Sequence, residues 1–112
     1  MTGELRMAAL AAATMQRSRG MVNVAAAAAA SAVSTRHLER AFQEQVGVSP
    51  KVFARLLRLD HALEMAGPTS NWAEVASLCG YFDQSHMVRD FRAMTGATPV
   101  EFAALRTAPP QG

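Results

Sequence analysis

Apolar residues recur along this chain at spacings of three and four, the period of a helix buried on one side. Leu38, Ala41, Phe42 and Gln45/Val46 share one inward face, and Met87, Phe91 and Met94 share another further on. The opposite faces carry Arg36, Glu39, Arg40 and Gln43 in the first stretch. In the second they carry Ser85, Val88, Arg89 and Arg92, with Gln84 at the start. No convincing two-residue alternation marks a strand. Breakers fall at Gly20, Gly47, Pro50, Gly67–Pro68, Gly80, Gly96, Pro99 and Pro109–Pro110, and the segments between them are rich in good helix formers. The pattern predicts an all-α chain of seven helices, over 4–18, 24–30, 35–46, 50–66, 72–79, 84–95 and 99–106. They group as one domain with a first lobe at about 4–48, a linker helix at about 50–66, a second lobe at about 69–106 and a flexible tail at 107–112.

Local chemistry agrees with several of these starts. Ser34 and Asp83 stand at N-cap positions, where a side-chain oxygen accepts from the free N–H groups of the first turn. Asn71 and Glu74 have the spacing of a capping box, with Asn in place of Ser or Thr. Pro50 and Pro99 sit in first helical turns, where the missing N–H costs nothing. The alanines of Ala25–Ala30 favour a helix but bury little area each, which predicts a thin helix packed closely on its neighbours.

The chain also repeats itself. "STRHLERAFQEQVGVSP" (Ser34 to Pro50) returns forty-nine residues on as "DQSHMVRDFRAMTGATP" (Asp83 to Pro99). His37/His86, Arg40/Arg89, Phe42/Phe91, Gly47/Gly96, Pro50/Pro99 and Phe53/Phe102 are identical in register, and Ser34/Asp83, Leu38/Met87 and Ser49/Thr98 are chemically alike. Each copy follows a short apolar helix, Val24–Ala30 or Trp72–Cys79, and a tight turn, Ser31-Ala32-Val33 or Gly80-Tyr81-Phe82. Short helix, tight turn, longer helix with an exposed polar stripe is the helix-turn-helix arrangement. Arg36 and Arg40 stack like charges along one stripe, at a cost of a few tenths of a kcal/mol in an isolated helix. A polyanion lying on that stripe turns the cost into a gain. From the stripe alone, a DNA-facing surface and a solvated face fit equally; the helix-turn-helix context favours DNA. In a major groove Arg reads guanine, Gln reads adenine, Glu accepts from cytosine and Val touches a thymine methyl. The linker helix is roughly 25 Å long at 1.5 Å per residue, and recognition helices in adjacent groove turns lie about 34 Å apart. One chain could then grip DNA twice, as a two-fold dimer usually does.

Composition narrows the class without deciding it. The chain has 112 residues, half of them hydrophobic and 18% charged, which suits one folded domain and excludes a disordered one. The net charge of +2 permits nucleic-acid binding but does not argue for it. Residues 1–33 carry two excess positives, 34–66 one, and 67–112 one excess negative, so the second lobe should hold DNA less tightly without sequence contacts. No apolar run is long enough to span a membrane. "MAALAAA" (Met7 to Ala13) has the look of a signal-peptide core, but Glu4 before it and Arg17 and Arg19 after it favour a first helix. The single cysteine, Cys79, makes no internal disulfide, suits a reducing compartment and reads as a small buried residue at a helix end.

The segment "GYFDQSHMVRDFRAMTGATPVEF", Gly80 to Phe102, closely resembles the second helix-turn-helix signature of the C-terminal DNA-binding domain of AraC-type transcription regulators. "STRHLERAFQEQVGVSPKVFARLLRLDHAL", Ser34 to Leu63, is similar to the first recognition helix and linker helix of that family. The resemblance implies two lobes, a recognition helix in each of two successive major-groove segments, and bacterial transcription control, often activation through contact with RNA polymerase. By position it implies base-facing roles for Arg36, Glu39 and Arg40 in the first lobe and for Gln84, Ser85, His86 and Arg89 in the second. Backbone N–H groups near Ser34 and Asp83 would meet phosphates. The chain departs from the family at Ala27, where a larger aliphatic residue is usual, and at Ala32, where a turn glycine is common. It leaves no room for the sensor or dimerisation domain that most members carry. The expectation is therefore a monomeric stand-alone regulator or a fragment of a longer product, acting on double-stranded DNA in the bacterial cytoplasm at the nucleoid.

Other chemistry is poorly supported. His37, His61 and His86 have no second ligand at helical spacing, so no metal is expected, and packing or phosphate contact is their reading. No phosphate loop, nucleophile elbow or paired-carboxylate cleft occurs, so neither an enzyme nor a cofactor is expected. Trp72 and the phenylalanines read as core rather than stacking platforms. The rival reading is a helical interaction module derived from such a regulator, which would tolerate loss of Arg36, Arg40 and Arg89.

Overall fold

The structure is a computed structural model that describes residues 2–67 and 70–107. Among them run seven helices: α1 (Gly3–Arg17), α2 (Val24–Ala30), α3 (Thr35–Gln45), α4 (Pro50–Met65), α5 (Trp72–Leu78), α6 (Gln84–Thr95) and α7 (Pro99–Thr107). Each bound lies within one residue of its predicted place. The predicted breaker at Pro68 and the tail beyond Thr107 lie outside the described residues.

The starts are set by side-chain caps. Thr2, Asn23, Ser34 and Asp83 each accept a hydrogen bond from the N–H three residues on, and Asn71 accepts from both Ala73 and Glu74. The reciprocal capping box is not at Asn71 but at α7. There Thr98 Oγ1 accepts from the Glu101 N–H at 3.2 Å, and Glu101 Oε1 accepts from the Thr98 N–H at 3.3 Å. Hydrogen bonding of the Glu101 carboxylate to the Thr98 side chain, and then to the Thr98 N–H, holds that carboxyl below the usual carboxylate range, with the charge of Arg92 adding to the effect.

The chain forms two compact units, with the division between Arg58 and Leu59 inside α4. In the first unit α1 packs on α3 and α2, and α2 on α3. Met7, Ala8, Ala11 and Met15 of α1 join Ala27, Ala28, Leu38, Ala41, Phe42 and Ala54 in one core. Each fully buried large side chain there, such as Phe42 or Leu38, contributes about 1.5–3 kcal/mol relative to exposure. "MAALAAA" is thus a core-forming helix, and the alanine run is helical with Ala27 and Ala28 buried. Gly20 closes the α1–α2 connection with φ of +77°, and a Cβ there would overlap the Ala54 carbonyl oxygen.

The second core gathers Leu59, Ala62, Leu63, Val75, Ala76, Cys79, Tyr81, Met87 and Phe91, with Trp72, Met94 and Phe102 against it. The helix expected as a linker is therefore more than a connector. Its first half lends Phe53, Ala54 and Leu57 to one core and its second half lends Leu59, Ala62 and Leu63 to the other.

Most of the repeated residues are explained by packing and turns. Phe42 meets Phe53 edge-on at 5.5 Å, and Phe91 meets Phe102 edge-on at 6.5 Å. Gly47 and Gly96 end α3 and α6 at φ of +92° and +79°. Ser49 and Thr98 cap the next helices, and Pro50 and Pro99 are fully buried behind them.

Three expectations fail. The helical period puts Gln45 and Val46 on the inner face, yet both are exposed, because α3 ends there and the chain turns away through Gly47 before that stripe reaches the core. Val88, read as outward, is half-buried. Phe82, grouped with the core aromatics, is 91% exposed.

Candidate nucleic-acid interface

Each unit holds a short helix, a tight turn and a capped longer helix. In the first turn Ser31 ends α2, Ala32 adopts φ of +56°, and the Val33 N–H returns to the Ala28 carbonyl at 3.0 Å. In the second turn Cys79 ends α5, Gly80 adopts φ of +85°, and the Tyr81 N–H returns to the Ala76 carbonyl at 3.0 Å. These bonds make Val33 the partner of Tyr81, and both side chains pack inward. Ser34 caps α3 directly after Val33, whereas Phe82 stands between Tyr81 and Asp83. The second turn is one residue longer, and the added residue is Phe82.

The caps leave the predicted base-facing residues at the helix starts. On α3, Arg36, Glu39 and Arg40 are exposed; on α6, Gln84, Ser85 and Arg89 are exposed. Arg36, Arg40 and Arg89 make no ion pair with any described residue, and Glu39 bridges to neither arginine on its helix. Gln43, by contrast, turns its amide back to the Gly47 carbonyl at 3.4 Å. Two stripes of guanidinium, amide and hydroxyl groups therefore face solvent with their hydrogen-bonding capacity unspent.

The two histidines behave differently from these stripes. His37 Nε2 lies 2.8 Å from Glu4 Oε1, tying α3 to α1. His86 is half-buried: its ring meets Tyr81 edge-on at 5.5 Å, and its Nδ1 accepts the Phe82 N–H at 3.1 Å. That bond fixes the tautomer with the proton on Nε2, if the ring is neutral. His86 thus braces the turn, while Gln84, Ser85 and Arg89 project from it. Sequence reasoning puts Phe82 with the core aromatics; the signal for its exposure is the unequal spacing from buried turn residue to cap.

Among the described residues no three of His, Cys, Asp and Glu come together as a metal site, and no helix is long and apolar enough to cross a membrane. Cys79 is buried, with its Sγ 3.5 Å from Met65 Sδ, and burial pushes its thiol up. It lacks the electropositive, accessible setting of a reactive cysteine.

The match to known proteins follows the same outline. The model of the family described as "Helix-turn-helix domain" covers residues 27–104. Over 68 residues the chain is 38% identical to the HTH-type transcriptional regulator GbdR of Pseudomonas aeruginosa, which is 60% of this chain and 18% of that protein's length. Among solved structures, an AraC-type DNA-binding domain protein from Chromobacterium violaceum superposes with a TM-score of 0.83 at 24% identity, covering 98% of this chain and 100% of that one. A probable AraC family transcriptional regulator from Rhodopseudomonas palustris gives 0.73 at 28% identity, covering 93% and 99%. A DNA-binding transcriptional dual regulator from Escherichia coli gives 0.72 at 22% identity, covering 88% and 90%. The fold and the paired polar stripes define a tandem helix-turn-helix DNA-binding domain. The chain belongs to the AraC-type helix-turn-helix family of transcription regulators.

Proposed function

We propose that this chain recognises a bipartite double-stranded DNA site, with α3 in one major-groove segment and α6 in the next. The observation that carries the reading is the pair of exposed stripes, Arg36/Glu39/Arg40 and Gln84/Ser85/Arg89, whose arginines have no ion-pair partner among the described residues. Arginine is suited to guanine O6 and N7, Gln84 to adenine, and Glu39 to a cytosine amino group. His86 serves the second reader by bracing the turn. The first-turn N–H groups of α3 and α6 left over by the Ser34 and Asp83 caps meet phosphates and set each helix in its groove. The reading carries with it a non-enzymatic regulator acting at the nucleoid in the bacterial cytoplasm, one chain per site, with RNA polymerase as its protein partner when it activates.

Arg89→Ala tests the assignment. On a cognate duplex it weakens specific binding by about 1–3 kcal/mol and relaxes the preference at one base position. Its melting temperature stays at the wild-type value, since Arg89 is exposed. An unchanged binding profile contradicts the placement of α6 in the groove.

A further inference from the structure

Phe82 is 91% exposed and is the one residue that the second turn has beyond the first. A single exposed apolar side chain is ordinary on a protein surface. This one differs in where its backbone is held. Its N–H donates to His86 Nδ1 at 3.1 Å, and the next residue, Asp83, accepts the His86 N–H at 2.7 Å. His86 in turn rests on the buried Tyr81. The Phe82 backbone is thus fastened at the N-terminal end of α6, beside exposed Gln84 and Ser85, and the phenyl ring projects from it into solvent. No other ring lies in contact with it among the described residues.

The N-terminal end of a recognition helix reaches the base edges first. An apolar ring gains nothing from phosphates or from the donors and acceptors of the groove floor. The one apolar group on the major-groove edges is the C5-methyl of thymine. We propose that Phe82 is a specificity-determining residue that packs against a thymine methyl at the border of the segment read by α6. The inference rests on the proposed DNA-reading role of α6. It also gives the longer turn a use: the first unit, where Val33 is packed into the core, has no equivalent ring to offer.

The test uses the duplex that the chain itself selects. Each thymine of the second half-site is replaced in turn by deoxyuridine, which deletes only the methyl, and affinity is measured for the wild type and for Phe82→Ala. The wild type should lose about fourfold at one thymine, the worth of one buried methyl at about 0.8 kcal/mol. Phe82→Ala should bind the thymine and deoxyuridine duplexes equally, with an unchanged melting temperature. Indifference of the wild type at every thymine overturns the proposal, as does an equal loss in both proteins. So does a Phe82→Ala variant that keeps full DNA affinity and loses only transcription with polymerase, which would assign the ring to a protein partner. Failure to select any duplex overturns the DNA-reading role as well, whereas a selected motif without thymine coupling overturns the Phe82 assignment alone.

Discussion

Arg89 and Phe91 lie two positions apart on α6 and have opposite duties, which the helical period alone assigns. Arg89 faces solvent, and Phe91 is fully buried against Phe102. Phe91→Ala should therefore destabilise the second unit by about 3–5 kcal/mol, seen as early loss of Trp72 fluorescence in a urea titration. A variant with the wild-type midpoint would show that the ring is dispensable to the core. The same period gives no placement for Phe82, which belongs to no helix. Its neighbours in sequence, Tyr81 and Asp83, are respectively buried and capping, and nothing in their order says which of two adjacent aromatics turns inward. The family resemblance counts His86 among the base-facing residues. Its half-buried position follows from an Nδ1 bond to a turn amide, which spacing alone does not reveal.

At the scale of the element, caps and glycines made the helices legible to within a residue, since Ser34, Asp83, Asn71 and the two Gly-Pro-bounded joints each do one local job. What stayed hidden was the unequal length of the two turns, because an identical register after the caps draws attention away from a slip before them. The first turn also places Ala32 in the left-handed region, where its counterpart is Gly80. An L-residue there costs roughly 1–2 kcal/mol, partly offset by the entropy that glycine loses on folding. Ala32→Gly should slow native-state amide exchange in α2 and α3 by about two- to fivefold, for a gain of about 0.5–1 kcal/mol; unchanged exchange would mean the turn is unstrained. The Thr98–Glu101 box gives the α7 start a pH dependence. The folded Glu101 carboxyl lies below its unfolded range, so its contribution is present above about pH 4.3 and is lost as the pH falls through the folded value. The difference in melting temperature between wild type and Glu101→Ala should be widest near neutrality and close in acid. A gap that persists at low pH would contradict the charge-based account.

For the molecule as a whole, the sequence repeat is carried through into two units, each with its own core, its own capped helix and its own unspent polar stripe. The second stripe sits in the unit with an excess negative charge, so affinity there must come from placed contacts rather than from a general attraction to phosphate. This duplication is the reason to expect one chain to read two groove segments. The measurement that bears on it most directly is selection from random duplex DNA at about 0.15 M salt, followed by sequencing of the bound pool. The account predicts a bipartite motif whose halves lie about one helical turn apart, 10–10.5 base pairs. A single half-motif would contradict reading by both units, and a pool with no enrichment would contradict DNA recognition and leave the chain an interaction module.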